Sequence, residues 1–553
     1  MTTQLHASSF CARLLPLATF TFAILALATP GTAQDPQPQR GRAMAVHDLV
    51  GNLAPTPRLP FHTFIGLRHM EHWPSYVPDR QERVPVMESD ELIEVLSQVD
   101  STLEQDGTEV HIENGRVHMQ GTAEQIQHIG ELIGTIRDQF AAPITIDAAV
   151  IRHDGELSPP SILDPDQARA MFEGHEAAWR GTATTPQRMA THIGSHRAVS
   201  YVHTNTAHIS EERFEALQMQ DEMFDGVGMV AVAHRLATGT DLVLQAQFAV
   251  GKLSSISAFN TGLRDQPDLQ RPTLATTAAN ISGRIRNGGA LVFNAKASAA
   301  SGGNVLVIVR ASWTPSKAAV PENLLILPIS SLTSPGAAMP SFSNTEHVAL
   351  AMPDPDNLHN DNEPQEPLLQ DDMLAEMLMN TVDPQAWDDG AQLNVFRGHL
   401  MVVGKPEMLK KVASFVVSQE RQLLQTLEVS YTFGEGRITM PTLADRNHAV
   451  RHGVETTAAS HSELEIAKKA SIQTPVIVRL FDGIEFAVRP YALDKGLGAR
   501  IDWFARRSES APQGIGLPPI RLSARHHSGA IPSNGLAAGD GPLGKQAWHV
   551  RTH

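Results

Sequence analysis

The chain holds a single cysteine, Cys11, among 553 residues. One thiol makes no intrachain disulfide and cannot build the multi-thiolate site of a structural zinc. Aromatic residues are only 5% of the chain, so the core is not built on large rings. Basic charge is also short, with 44 Lys+Arg against 60 Asp+Glu and a formal charge of -16, which disfavours nucleic acid and anionic membrane surfaces as partners. No stretch after the first thirty residues approaches eighteen unbroken apolar positions, so no helical membrane span is expected. The phosphate loop G-x-x-x-x-G-K-[ST], the G-x-S-x-G elbow and the H-E-x-x-H helix are all missing. A catalytic triad gathered from distant residues would leave no such trace.

What is present begins with an export signal. His6 and Arg13 precede an apolar run from Leu14 to Ala28, and Thr29-Pro30-Gly31-Thr32-Ala33 supplies the small residues of a cleavage site. The run contains Pro16 and is shorter than the roughly twenty residues of a spanning helix. Cleavage after Ala33 would remove Cys11 and leave the mature protein without thiol chemistry. The expected location is the periplasm or outer membrane. No cysteine stands at the cleavage point, so a lipid anchor is not indicated.

Self-similarity is the strongest internal signal. Leu92–Val150 aligns without a gap to Ala375–Phe433 at a constant offset of 283 residues. Val99-Asp100 faces Val382-Asp383, Gly115 faces Gly398, Gly121 faces Gly404 and Glu124 faces Glu407. The apolar register agrees: Val110, Ile112, Val117 and Met119 answer Leu393, Val395, Leu400 and Val402. Each copy reads as helix, strand, strand, helix, strand. Ser89-Asp90 caps a first helix, Glu113-Asn114-Gly115 turns a hairpin between Glu109–Ile112 and Arg116–Met119, and Thr122 opens a second helix.

Beyond each copy the text is strand-like. Gly228–Ala233 and Asp241–Val250 flank a turn at Thr238-Gly239, and Ala278–Ile285 and Ala290–Asn294 flank Asn287-Gly288-Gly289. In the second half, Pro475–Leu480 and Ile484–Arg489 flank a turn at Asp482-Gly483, followed by Ala499–Phe504. The fold class is α+β, as two tandem halves, each a small module followed by an antiparallel β-rich region. The boundaries are a signal peptide at 1–33, an extended segment at 34–88 and a first module at 89–151. A first β-rich region follows at 152–333, then a Pro-rich acidic linker at 334–370. The second module takes 371–433 and the second β-rich region 434–505, leaving a disordered basic tail at 506–553.

These residues resemble the ring-building modules of secretins, the multimeric outer-membrane gates of bacterial secretion and pilus systems. The likeness rests on the hairpin at Asn114-Gly115, Gly121-Thr122-Ala123-Glu124 and Pro143-Ile144-Thr145-Ile146-Asp147-Ala148. Val403-Gly404-Lys405-Pro406-Glu407 is similar in the second copy. Gly228–Val232 with Leu242–Gln245, and Thr276–Val292, resemble the paired strands of the secretin domain. The chain departs from the family in lacking a Val-Pro-x-Leu-Gly segment and in carrying module and sheet twice. The resemblance implies a non-enzymatic envelope protein that self-associates into a ring or other homo-oligomer, with secretion-system or cell-envelope proteins as partners and no nucleic acid. No catalytic residue, cofactor or metal ligand is assigned. The structural residues expected to matter are Gly115, Gly121, Gly398 and Gly404, with strand edges near Val117 and Leu400 as pairing surfaces.

Other readings stay open. A monomeric periplasmic binding module would use the β-rich parts to hold a partner or the cell wall. A metal-dependent hydrolase would use His192, His196 and His203; His192 and His196 are four apart, but Val199, Tyr201 and His203 alternate as on a strand, which favours a structural or surface role. His69 and His72 form another close pair, and His208 lies further along. The acidic run Asp354, Asp356, Asn357, Asn360, Asp361 and Glu363 has oxygen ligands for calcium but lacks an EF-hand's spacing, so it reads as solvated linker. Arg525-His526-His527 and Trp548-His549 in the tail have a docking role on an acidic surface as their alternative to an inert end.

Overall fold

The computed structural model describes residues 40–50, 87–99, 109–153, 157–209, 214–263, 267–296, 303–314, 320–334, 366–396, 398–466, 471–493, 496–508, 520–531, 536–541 and 544–552. The expected signal segment at 1–33, the His69–His72 pair and the acidic run at 354–363 lie outside them.

The first small unit comprises β1 (Arg40–Ala45), α1 (His47–Val50), α2 (Ser89–Val99), β2 (Glu109–Glu113), β3 (Arg116–Gly121) and α3 (Ala123–Phe140). Asn114 and Gly115 both adopt positive φ, the geometry of a tight hairpin turn whose twist matches its strands. Thr122 caps α3 through a capping box with Gln125. The sheet runs β1-β3-β2, with α2 and α3 burying Leu92, Val95, Leu96, Ile126, Ile129 and Ile133 against Val117 and Met119.

The chain then enters long antiparallel strands: β4 (Pro143–His153), β5 (Ile162–Leu163), α4 (Pro165–Gly174), β6 (Trp179–Pro186), β7 (Thr191–Ile209), β8 (Phe214–Arg235), β9 (Asp241–Phe259), β10 (Leu269–Arg286), β11 (Ala290–Lys296) and β12 (Asn304–Trp313). A second small unit follows, made of β13 (Leu324–Pro328), α5 (Ser330–Thr333), α6 (Asp371–Thr381), α7 (Pro384–Asp388), β14 (Gln392–Phe396), β15 (His399–Val403) and α8 (Pro406–Leu423). Its sheet runs β13-β15-β14, the same order as the first. The remainder is β16 (Thr426–Phe433), β17 (Gly436–Leu443), β18 (His448–Ile466), β19 (Ser471–Leu493), β20 (Gly496–Ser508), β21 (Ile520–Ala530), β22 (Leu536–Gly541) and β23 (Gly544–Thr552).

Two large sheets face each other. One is eight-stranded, in the order β21-β20-β19-β18-β10-β9-β8-β7; the other is nine-stranded, in the order β22-β23-β16-β17-β11-β12-β4-β6, with β5 beside β11. Alternate residues of both sheets form one core, in which Leu242, Leu244, Ala246 and Phe248 of β9 meet Leu291 and Phe293 of β11 and Tyr431 and Phe433 of β16. The fold is α+β and mostly β.

Four expectations are corrected. The two β-rich regions are not separate, because β10 pairs with β18 and β11 with β17, so both halves share both sheets. The 506–553 tail is not disordered throughout: β21 extends the eight-stranded sheet, and β22 and β23 extend the other. Trp548 explains the second part, since its buried ring lies 4.2 Å from that of Tyr431 and 4.6 Å from that of Phe486. The small units start earlier than 89 and 371, with β1 and β13 as their first strands. Finally, Asp482-Gly483 is not a turn, because β19 runs straight through it.

Gly483 has a different task. It sits opposite Gly453 of β18 at a point where the two backbones crowd each other: a Cβ on Gly453 would lie 2.7 Å from Gly483 Cα, and one on Gly483 would lie 2.6 Å from Gly453 Cα. The close approach needs glycine on both strands. Gly453→Ala should cost about 1–3 kcal/mol by overpacking against backbone that cannot rotate away. Chemical denaturation would show this as a lower midpoint, and an unchanged midpoint would mean that β18 and β19 have room to separate.

Candidate functional site

In the absence of a metal or nucleophile motif, the candidate site is a set of contact surfaces. The predicted turn residues lie as expected in local structure. Gly115 and Gly398 have positive φ, Gly121 ends β3 beside the Gln125 cap, and the Gly404 N–H donates to the Asn323 carbonyl at 2.9 Å. The predicted pairing surfaces do not hold. Val117 is paired on both sides, with Met44 of β1 and Ile112 of β2, and Leu400 likewise with Leu327 and Val395. Both strands are sheet centres, because β1 and β13 add a third strand that local periodicity did not reveal.

The two small units meet inside the chain, helix against sheet. Leu324 and Ile326 of β13 and Met401 of β15 join the buried cluster of Leu132, Ile136 and Phe140 on α3. The Phe140 and His399 rings lie 4.0 Å apart, and Gln187 Nε2 is 2.5 Å from His399 Nε2. The corresponding outward face of the first small sheet is polar and open: β2 exposes Glu109, His111 and Glu113, and β3 exposes Arg116 and Gln120.

The larger junction is the β10–β18 ladder, from Thr273↔Thr456 to Ala279↔Val450. Several of its buried polar groups are matched across the junction, while Thr276 Oγ1 and His452 Nε2 have no hydrogen-bond partner among the described residues. Thr277 Oγ1 lies 2.9 Å from His452 Nδ1, Ser282 Oγ lies 3.3 Å from His448 Nε2, and Asn280 Nδ2 donates to the Asn447 carbonyl at 3.1 Å. Burial pushes His448 and His452 down to about 4, so both are neutral at pH 7. Next to them Arg451 forms ion pairs with Glu485 and, at 2.6 Å, with Glu455, under the Phe481 ring. Burial raises Glu420 to about 7 although it accepts the Ala237 N–H at 2.9 Å.

At the ends of the large sheets stand β21 and β7, and β22 and β6. The far parts of the long strands expose apolar side chains, with Ile466 74% and Leu464 54% accessible on β18, and Leu217 and Met219 also exposed on β8. Among the described residues no helix is long and apolar enough to cross a membrane.

The histidine cluster does not form. His192, His196, His203 and His208 are all on β7, a single extended strand, so His192 and His196 are about 13 Å apart along it and His203 is farther still. Burial lowers His192 to about 4, and His203 turns its ring edge to Tyr201. The junction itself had a readable trace in the unusual density of Thr, Asn, Ser and His in two otherwise apolar strands.

No family model and no curated protein matches the chain. Solved structures similar to it include the InvG secretin-domain β-barrel from the Salmonella SPI-1 injectisome NC-base. That barrel is 11% identical, with 50% of this chain and 85% of that one covered at a TM-score of 0.23. InvG in the Salmonella SPI-1 type III secretion injectisome basal body is 12% identical, with 49% of this chain and 59% of that one covered at 0.22. The V. cholerae type IV competence pilus secretin PilQ is 7% identical, with 51% and 79% covered at 0.21. The architecture is described by the chain's own strand order.

Two outcomes are expected. Phe140→Ala, which empties the contact between the small units, should cost about 3–5 kcal/mol and speed hydrogen exchange along β13. Acid should weaken the fold. Neutral buried His448 and His452 contribute stability that is full above the unfolded value near 6.5 and declines as pH falls towards about 4. Glu420 acts in the opposite sense, its contribution being full below the ordinary carboxylate range and lost as pH rises through about 7. Melting temperature should therefore fall between pH 6.5 and 4, by the equivalent of on the order of 1–3 kcal/mol per histidine, and less steeply in His452→Gln. A flat profile would contradict neutral histidines at the junction.

Proposed function

We propose that this chain is a non-enzymatic, exported envelope protein that assembles through its sheet edges into a closed ring of copies, a secretin-like component of a protein secretion or pilus apparatus. One observation carries this reading: the two halves join head to tail, and the edges left at the ends are the same two that joined.

In the nine-stranded sheet the first half contributes β11-β12-β4-β6 and the second β22-β23-β16-β17, in the same order. In the eight-stranded sheet the halves contribute β10-β9-β8-β7 and β21-β20-β19-β18. On this reading β18 is the counterpart of β7, and both are 19 residues long. Gly483 opposite Gly453 then matches Gly226 opposite His196. The internal junction sets the last strand of one half, β10, against the first long strand of the other, β18. The terminal strands β21 and β7 are that same pair, one at each end of the sheet. An edge that pairs with its opposite number generates a heterologous contact, which closes into a ring when the rotation divides a full turn. Such a ring would also cover unpaired strand edges, which single chains otherwise leave open to aggregation.

A specific contact favours a second reading, a monomeric periplasmic binding module. The far half of β7 folds back over the same sheet, with Thr204 Oγ1 donating to the Pro475 carbonyl at 3.1 Å and the Val202 N–H to Gln270 Oε1 at 2.7 Å. This rolls the far part of the sheet within one chain. The proximal part of β7, which corresponds to the paired stretch of β18, remains exposed at Gly194, Ser195, Arg197 and Ala198.

Light scattering on the chain from Gln34 to His553, gently extracted from its envelope, separates the two: a particle of many subunits is expected, and a clean monomer would overturn the ring. Cysteines introduced along β7 (from Ser195) and along β21 (to Ser528) test the pairing. Mild oxidation should give a ladder of linked chains only when both strands of one chain carry a cysteine. Dimers from either single variant would instead indicate a two-fold contact.

A further inference from the structure

We propose that His111, Glu113 and His118 form a divalent-cation site on the open face of the first small sheet, with zinc the ion whose ligand preference fits them. His111 and His118 are directly opposite each other on β2 and β3, and the positive-φ turn at Asn114-Gly115 fixes that register. Strand alternation sends Val110 and Ile112 inward and places His111 and Glu113 together on the outer face. The two imidazoles are stacked with centroids 5.0 Å apart and planes 7° from parallel. One ligand atom from each of the three side chains lies within 4.8 Å of the others.

The three ligand atoms are within reach of one ion. Ligand atoms about 2.0–2.1 Å from a tetrahedral zinc lie roughly 3.3 Å from one another, so binding draws the three together and turns the imidazoles out of their stacked arrangement until both lone pairs meet at the ion. Two neutral imidazoles and one carboxylate are a borderline-soft set suited to late first-row divalent ions rather than to calcium or magnesium. On its other side His118 faces Ala43 of β1, whose methyl leaves the fourth position to water. Glu113 is opposite Arg116 in the ladder, and its carboxylate already lies on the side of the imidazoles.

The second small sheet supplies a contrast. At the offset of 283 residues, Asn394, Phe396 and Met401 stand where His111, Glu113 and His118 stand, and Met401 is buried under α3. Of the three positions that carry potential ligands in one unit, two pack apolar side chains, Phe396 and Met401, in the other. Packing therefore does not explain the triad, because the outer face of the first sheet has no helix of this chain upon it among the described residues. This site is independent of the ring reading.

The test is zinc alone, titrated calorimetrically into the untagged chain from Gln34 to His553. With 25 histidines in the sequence, the readout is the difference between proteins. The wild type should take up one more micromolar equivalent than His111→Ala/His118→Ala, and acidification should abolish that difference as protons compete for the imidazoles. Cobalt in place of zinc should give the visible bands of a tetrahedral ion only in the wild type. Equal uptake by the two proteins, or no uptake by either, would overturn the site. If the double variant melts early, Glu113→Gln at an exposed strand position serves instead: binding tenfold or more weaker is expected, and unchanged affinity would overturn the proposal.

Discussion

The β10–β18 ladder is the constraint on which the rest depends. Without it the eight-stranded sheet is two four-stranded sheets, and the single core between the large sheets has a seam. The ladder is held by hydrogen bonds of buried Thr277, Asn280 and Ser282 to the opposing strand, and by neutral histidines that burial keeps from charging. A buried polar seam costs stability wherever a partner is missing, yet it fixes one register where apolar strands could slide. With a single cysteine no intrachain disulfide can set the register, and such matching does so.

The seam is flanked by devices that only glycine permits. Where β18 pairs with β19 at Gly453 and Gly483, the backbones lie closer than a Cβ on either would allow. The small units then cover one end of the sandwich, and Val243 of β9 is buried in the same cluster as Leu409, Val412 and Val416 of α8. Stacking α3 on the second small sheet buries an apolar face there, while the first small sheet shows a polar one outward. The contact between small units thus ends within the chain at that face, and the large-sheet edges are where the internal junction has an unfilled counterpart.

Much of the local structure was legible. The hairpin at Asn114-Gly115, the Thr122 cap and the turn at Thr238-Gly239 follow from residues a few positions apart, and the repeat from Leu92 and Ala375 needed only register. Asp482-Gly483 was misread because the dipeptide that makes a tight turn also permits a close approach of paired strands, and nothing adjacent in sequence tells the two apart. The tail was misread because its composition is that of a loop, while its order comes from Trp548 meeting Tyr431 and Phe486, more than fifty residues earlier. Val117 and Leu400 looked like edges because their third strands, β1 and β13, come from segments far outside the periodic pattern. His111 and His118 were legible in principle, since counting outward from the turn sets them opposite each other.

The sequence by itself determined the helices, the hairpins and the doubling of the small unit, because capping, turn geometry and alternating polarity act between near neighbours. Only the tertiary structure decided that the halves share two sheets and meet through β10 and β18, and which strands stand at the open edges. Those outcomes depend on pairing between residues well over a hundred positions apart, and a strand carries no local mark of the partner it will take.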